Sequence, residues 1–269
     1  MLAIKNNIMA ANAARHLGVS YDALAKSVER LSSGLRINSA KDDAAGLAVR
    51  ELMRADIAVM QQGGRNAQDG ISMLQTMEGA MATIDSALIR MKQLAEQAAT
   101  GSYSSTQRSI MDSEFDEMAN EIDRIATATE FNGIKMLDNS ATVSIHFGDT
   151  NDKIDVVGST MTKAGLGITA ASITTAASAR AALATLDTAI GTKDEARAAF
   201  GYKMNRLEST IQVLNNQAEN LQAAESRISD VDVATEMATM TRTQVLAQAG
   251  VAMLAQANLM PQMALALLR

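Results

Sequence analysis

The sequence predicts a mainly α protein: a long antiparallel helix bundle or coiled coil, with a small β-hairpin in the middle of the chain. Three observations carry that reading. Apolar residues recur in alternating steps of three and four near both ends and through much of the interior, which is the spacing of a helical seam. Pro261 is the only proline in 269 residues, so little interrupts a helix. Ala, Leu, Ile and 18 Met supply most of a 47% hydrophobic fraction, while aromatics contribute 3% and Trp is absent, a mixture suited to helix–helix packing.

The elements follow in chain order. Leu17, Tyr21, Leu24, Val28 and Leu31 mark one seam of a first helix. Ser32, Ser33, Gly34 and Asn38 interrupt it, and Ser39 with Asp42 three residues on has the form of a capping box, so a connector is expected over residues 32–39 and a second helix from about Lys41. Leu74, Met77, Met81, Ile84, Leu88, Met91 and Ala95 keep the spacing without a slip to about Ala99. Such a helix would be roughly 90 Å long. Gly63 and Gly64 are expected to kink it or to admit close packing. After a small-residue loop at 101–106, Met111, Phe115, Met118, Ile122 and Ile125 form the seam of a third helix running back along the second.

The rhythm changes at Phe131. Asn132-Gly133 is a turn signal, and Val143, Ile145 and Phe147 alternate with polar residues, so a β-hairpin is expected within about 134–157, turning at 148–152. Residues 158–178 are rich in Thr, Ser, Ala and Gly with weak periodicity and read as a loop, an irregular arm or a boundary, an exposed and variable segment. Helix resumes with Met204, Leu207, Ile211, Leu214, Ala218 and Leu221; after a break near 226–230, Val233, Met237 and Met240 lead into Ala- and Gln-rich helix. Helices with unpaired stripes therefore occupy both ends and must meet, within one chain or between chains. The expected domains are a terminal coiled-coil core of 1–40 with 230–269 and a helical hairpin domain of 41–229. Small side chains such as Ala10, Ala11, Ala247 and Ala249 bury little area each, so residues 1–31 and about 233–269 are expected to order only against neighbours.

Composition narrows function. A net charge of −6 leaves no basic footprint for nucleic acid. Without cysteine there is no disulfide, thiolate metal site or cysteine nucleophile. Lys5, Asn6, Asn7, Asn12 and Arg15 break the first twenty residues, so no cleavable signal peptide is read there. The apolar run 263–268 is far short of the roughly 18 residues of a membrane span, and no membrane insertion is expected. His16 and His146 stand in different elements with no carboxylate at metal-motif spacing, so no metal, cofactor or catalytic site is assigned. Asp42-Asp43 and Asp230 with Asp232 read as helix caps rather than acid–base pairs. The Met-rich seam reads as core. The clusters at Lys41-Asp42-Asp43 and Lys193-Asp194-Glu195 read as a solvated face or as salt bridges between copies.

Residues 29–46, Glu-Arg-Leu-Ser-Ser-Gly-Leu-Arg-Ile-Asn-Ser-Ala-Lys-Asp-Asp-Ala-Ala-Gly, resemble the N-terminal signature of the bacterial flagellins almost residue for residue. Residues 64–72, 121–125, 131–133 and 226–230 are similar to further family blocks, as are the closing runs 247–250, 254–258 and 267–269. The resemblance spans roughly 1–157 and 178–269 and implies a short form without the large outer domains. It implies a non-enzymatic subunit that polymerises with itself into an open helical filament for swimming, secreted to the extracellular flagellum through the flagellum's own secretion apparatus with an export chaperone, and meeting hook-associated and cap proteins. The polymerisation core would include Leu17, Leu24, Val28, Leu31, Met237, Met240, Leu254, Leu267 and Leu268. The resemblance also implies contacts of Arg90, Leu94 and Glu114 with a vertebrate Toll-like receptor, weakened because Ile89, Lys92 and Gln93 depart from the Gln, Arg and Glu of sensed relatives. Alternatives are a hook–filament junction protein and a soluble coiled-coil scaffold or adaptor.

Overall fold

A computed structural model describes residues 6–148 and 151–266, with side chains through Met260. Its elements are α1 (Ile8–Ser33), α2 (Ala44–Ala99), α3 (Ser105–Ala128), β1 (Thr142–His146), β2 (Lys153–Val157), α4 (Ala176–Ser229) and α5 (Val233–Ala266). They form two compact units, residues 1–57 with 219–269 and residues 58–218. These boundaries fall inside α2 and α4. The expected division at 40/41 and 229/230 instead coincides with the breaks between α1 and α2 and between α4 and α5.

In the second unit the seam of α2 is the core. Leu74, Met77, Met81, Ile84, Leu88, Met91 and Ala95 are all fully buried, joined by Phe115 and Ile122 of α3. Ser104 opens α3 with a capping box, its hydroxyl accepting from the Gln107 amide while the Gln107 side chain accepts from the Ser104 amide. The α3 seam is legible from sequence, and so is the α2 seam. The early half of α4 is not. There Ala179, Ala182, Leu186, Ala189, Ala196 and Phe200 are buried, a stripe too alanine-rich to stand out by hydrophobicity. Ion pairs Glu78–Arg197, Asp85–Lys193 and Lys92–Asp187 run along α2 and α4 in opposite sequence order, so the helices are antiparallel.

Three sequence expectations change here, and one resolves. Of the two readings of Gly63 and Gly64, a kink or close packing, close packing holds at Gly63, inside an α2 that is continuous from Ala44 to Ala99. A Cβ on Gly63 would stand 2.1 Å from the Phe147 carbonyl oxygen, so this glycine seats the end of the hairpin directly on the helix backbone. Residues 158–175 form an irregular arm that is packed against the second unit's core and not wholly exposed. Met161, Leu166, Ile168 and Ile173 are buried, and the Asp112 and Asp123 carboxylates of α3 accept from the amides of Ile173 and Lys163. A stretch without period still packs when its few large apolar residues face a helix and its free amides find carboxylates. Lys193 belongs neither to a solvated face nor to a contact between copies, being 3% exposed and bonded to Asp85 and Asp194. Burial acts to lower its pKa, but the hydrogen bonds it donates to Asp194 and Asp85 outweigh that and raise it. Leu94 is 2% exposed and part of the core.

The strands pair antiparallel with Thr142 opposite Val157 and His146 opposite Lys153, burying Ile145, Ile154 and Val156 on one face. Before them, Asn132 and Gly133 both take positive φ between the mutually bonded Phe131 and Ile134, the backbone of a type I′ turn.

Candidate functional site

The first unit is a helix pair tied by a clasp. Ala13, Leu17, Ser20, Leu24, Ser27 and Leu31 of α1 are the residues turned inward, in unbroken steps of four and three. On α5 the matching row is Glu236, Met240, Thr243, Ala247, Gly250, Leu254 and Ala257. The Asn7 side-chain amide donates to the Ala257 carbonyl at 2.8 Å, Gly250 faces Leu17, and Arg30 pairs with Glu236 at 3.5 Å, so the two helices run antiparallel. In both rows small residues are interspersed with Leu or Met. That brings the helices close, yet each contact buries little apolar area.

The seam read from sequence chose Tyr21 and Val28, one position beyond the inward-facing Ser20 and Ser27. Both are exposed, at 50% and 46%. Leu17, Leu24 and Leu31 fit a seam with either Ser20 and Ser27 or Tyr21 and Val28, and the larger residues outweigh the serines in that reading. Among the other expected polymerisation residues, Leu17, Leu24 and Leu31 lie half-buried against α5, and Met240 and Leu254 lie half-buried against α1. Met237 is exposed on the outer side of the pair. Leu267 and Leu268 lie outside the described residues.

The connector between α1 and α2 is the clasp. Gly34 ends α1 in the left-handed conformation, where its amide donates to the Arg30 carbonyl. Leu35 then pairs with Asp230, the Arg36 amide donating to the Ser229 carbonyl at 2.7 Å and the Val231 amide to the Gly34 carbonyl at 3.0 Å. The Arg36 guanidinium donates twice to the Ile228 carbonyl, and Arg50 reaches back to the Ile37 carbonyl. Ile37 itself is buried. Ser39 and Asp42 do interact, but as a tight turn and not as the start of α2: the Asp42 carboxylate accepts from the Ser39 hydroxyl and from the amides of Ser39 and Asn38. Asp43 is the cap, accepting from the Gly46 amide. Lys26 of α1 meets Asp42 at 2.6 Å, and that contact above all holds the Asp42 carboxyl well below the usual range. Asp232 caps α5, and its bonds from Thr235 lower its pKa. Of the four carboxylates read as caps, Asp43 and Asp232 are caps, whereas Asp42 is held in the turn and by Lys26, and Asp230 accepts from the Ser226 hydroxyl.

Large apolar side chains lie outside the seam on both helices. Ile8, Met9, Val19, Tyr21 and Val28 are exposed on α1, and Val233, Met237, Leu246, Val251, Met253 and Leu259 on α5. Tyr21, Leu24, Ala247 and Val251 line a shallow groove of about 380 Å³ along the pair. Apolar residues surround α5 instead of forming one stripe. A helix of that kind is stable when covered on more than one side. The arrangement presents an apolar surface; among the described residues no group of three or more His, Asp or Glu is placed to hold a metal ion.

The exposed Arg90 of α2 and Glu114 of α3 form a two-point hydrogen bond, the guanidinium donating to one carboxylate oxygen at 2.8 and 2.6 Å. Leu94, one turn on, is buried and is not part of the exposed surface that carries this ion pair.

Comparison with known proteins places these features. Residues 4–142 match the bacterial flagellin N-terminal helical region, and residues 183–268 match the bacterial flagellin C-terminal helical region. A flagellin of Halalkalibacterium halodurans is 44% identical over 99% of both chains. A flagellar filament 33 kDa core protein of Treponema phagedenis is 43% identical, again over 99% of both. The crystal structure of Bacillus cereus flagellin is 34% identical, with a TM-score of 0.51 over 60% of this chain and 94% of that one. A flagellar hook-associated protein from Vibrio parahaemolyticus shares the fold, with a TM-score of 0.59 at 14% identity over 70% of this chain and all of that one.

Proposed function

The chain belongs to the bacterial flagellin family, and from that premise we propose that it polymerises through the outer faces of the α1/α5 pair. It is a structural subunit of the flagellar filament, an extracellular assembly, and the family is one of structural proteins. The observation that carries the proposed contact is the belt of large apolar side chains left uncovered on α1 and α5, Met237 and Val28 among them. A surface of that kind on a soluble chain marks an interface. Chains joined head to tail without closing a ring grow as an open helix. In this reading residues 1–40 and 230–269 form the filament core and residues 41–229 the surrounding part. Leu17, Leu24, Leu31, Met240 and Leu254 hold the pair together, and Val28 and Met237 meet neighbouring copies.

The same uncovered belt supports partners before and at assembly. An export chaperone that covers α5 would keep the free chain from sticking, and the flagellum's own secretion apparatus would carry it outward for swimming motility. Hook-associated and cap proteins would offer similar helices at the filament ends. The test is seeded growth: purified chain added to short filament fragments lengthens them under the electron microscope. Chain that stays monomeric under every polymerising condition rejects the reading in favour of a soluble scaffold.

We also propose recognition by the vertebrate Toll-like receptor that senses flagellin, through Arg90 and Glu114 without Leu94. Its support is the exposure of that ion pair, near half for both side chains. Binding is weakened because Lys92, held by Asp187, lacks the planar fork of an arginine. Equal binding of monomeric natural chain and the Arg90→Ala variant rejects this contact.

A further inference from the structure

The 18 methionines are unevenly placed. Seven are buried in the second unit, Met77, Met81 and Met91 among them. Met9, Met237 and Met253 are exposed at 62%, 46% and 63%, and all three lie on α1 or α5. Met1 and Met263 lie outside the described side chains. Met53, Met60, Met118, Met204, Met240 and Met260 are half-buried. No thiol or indole competes for an oxidant, because the chain has neither Cys nor Trp.

We propose that Met9, Met237 and Met253 are oxidation sites that switch polymerisation off in the free chain. The inference rests on the reading that further copies of this chain cover the outer faces of α1 and α5. The oxidant is of the peroxide class. The thioether sulfur attacks one peroxide oxygen, an S–O bond forms as the O–O bond breaks, and the transferred oxygen's proton passes to the departing hydroxide to give water. Sulfur is oxidised by two electrons and peroxide reduced by two. Access of the sulfur governs the rate, so exposed thioethers react before the buried ones. A sulfoxide is a strong acceptor with no donor facing it on an apolar belt, and burying it there without a partner is unfavourable. The exposed flanks are apolar: Ile8 stands beside Met9, Val233 one turn before Met237, and Leu246 two turns before Met253. Chains already assembled have these sulfurs covered. The switch therefore acts on the free chain and not on the finished filament.

The experiment treats monomer with graded hydrogen peroxide, removes it with catalase, maps the mass gain of about 16 Da by peptide, and then measures seeded growth. Met9, Met237 and Met253 are expected to oxidise before the seven buried residues. The concentration needed for growth should rise at least about tenfold when all three are oxidised. Methionine sulfoxide reductases for both epimers should restore growth without any substitution. The triple variant Met9→Leu, Met237→Leu, Met253→Leu should grow normally before treatment and stay competent after the same dose. In preformed filaments oxidation at the three positions should be slowed at least about tenfold. Unchanged growth with the three residues fully oxidised overturns the proposal. So does a triple variant as peroxide-sensitive as the natural chain, or growth that the reductases fail to restore. Untreated natural chain that never extends a seed instead strikes at the assembly reading, and the switch falls with it.

Discussion

Asp42 gathers three hydrogen bonds from Asn38 and Ser39 and the ammonium of Lys26, and its pKa is lowered. A carboxylate lowered by folding contributes stability that is present above its unfolded value, near 4, and lost as pH falls through the lowered one. The clasp is therefore expected to loosen in acid. In amide exchange of residues 35–43, Asp42→Asn should exchange faster than the natural chain at pH 7, and the two should converge progressively below about pH 4; a gap that stays constant to the lowest pH refutes the assignment. Gly63 shows the opposite kind of constraint, set by space and not charge. Any side chain there meets the Phe147 backbone, which cannot swing away as a side-chain tip would. Gly63→Ala should destabilise the second unit by about 1–3 kcal/mol in thermal melts. Gly64→Ala, with open space at its Cβ, should not.

At the scale of elements, the two units are held by different means. The second buries long aliphatic, Met and Phe side chains from α2, α3, α4 and the hairpin. The α1/α5 pair instead relies on Ala13, Ser20, Ser27, Ala247, Gly250 and Ala257, which permit close approach and contribute little burial. Local stability follows buried apolar contact. In the free chain α1 and α5 should be the first segments cut by a dilute protease, well before any cut in residues 58–218; simultaneous loss of both units refutes this. Of the two expected ways for the ends to meet, within one chain or between chains, α1 and α5 take the first, and the small area each contact buries leaves that pairing weak. Leu24→Asp or Leu254→Asp places a charge in that seam and should abolish seeded growth, while the melt of the second unit changes by less than about 0.5 kcal/mol. Normal filaments from either variant would exclude those residues from the core.

For the whole molecule, the buried cluster of the second unit draws only on residues 67–214. A chain without residues 1–31 and 233–269 should keep a cooperative helical melt by circular dichroism and add to no seed; filaments from it would overturn the assembly role of the ends. Much of this organisation is legible without coordinates. The seams of α2 and α3, the Asn132-Gly133 turn, the hairpin and the family signature at residues 29–46 all depend on local spacing or on contiguous residues, and spacing survives in the sequence whatever the chain packs against. Other features depend on what stands opposite. That Ser20 and Ser27 face inward while Tyr21 and Val28 face out, that Gly63 seats Phe147, that Lys193 finds Asp85, that Asp112 and Asp123 hold an aperiodic arm, and that Leu94 is core were all decided by partners distant in the chain. Periodicity states which residues share a face of a helix; only the opposing surface, through the space and the charges it presents, determines which face is buried and which is left for another copy.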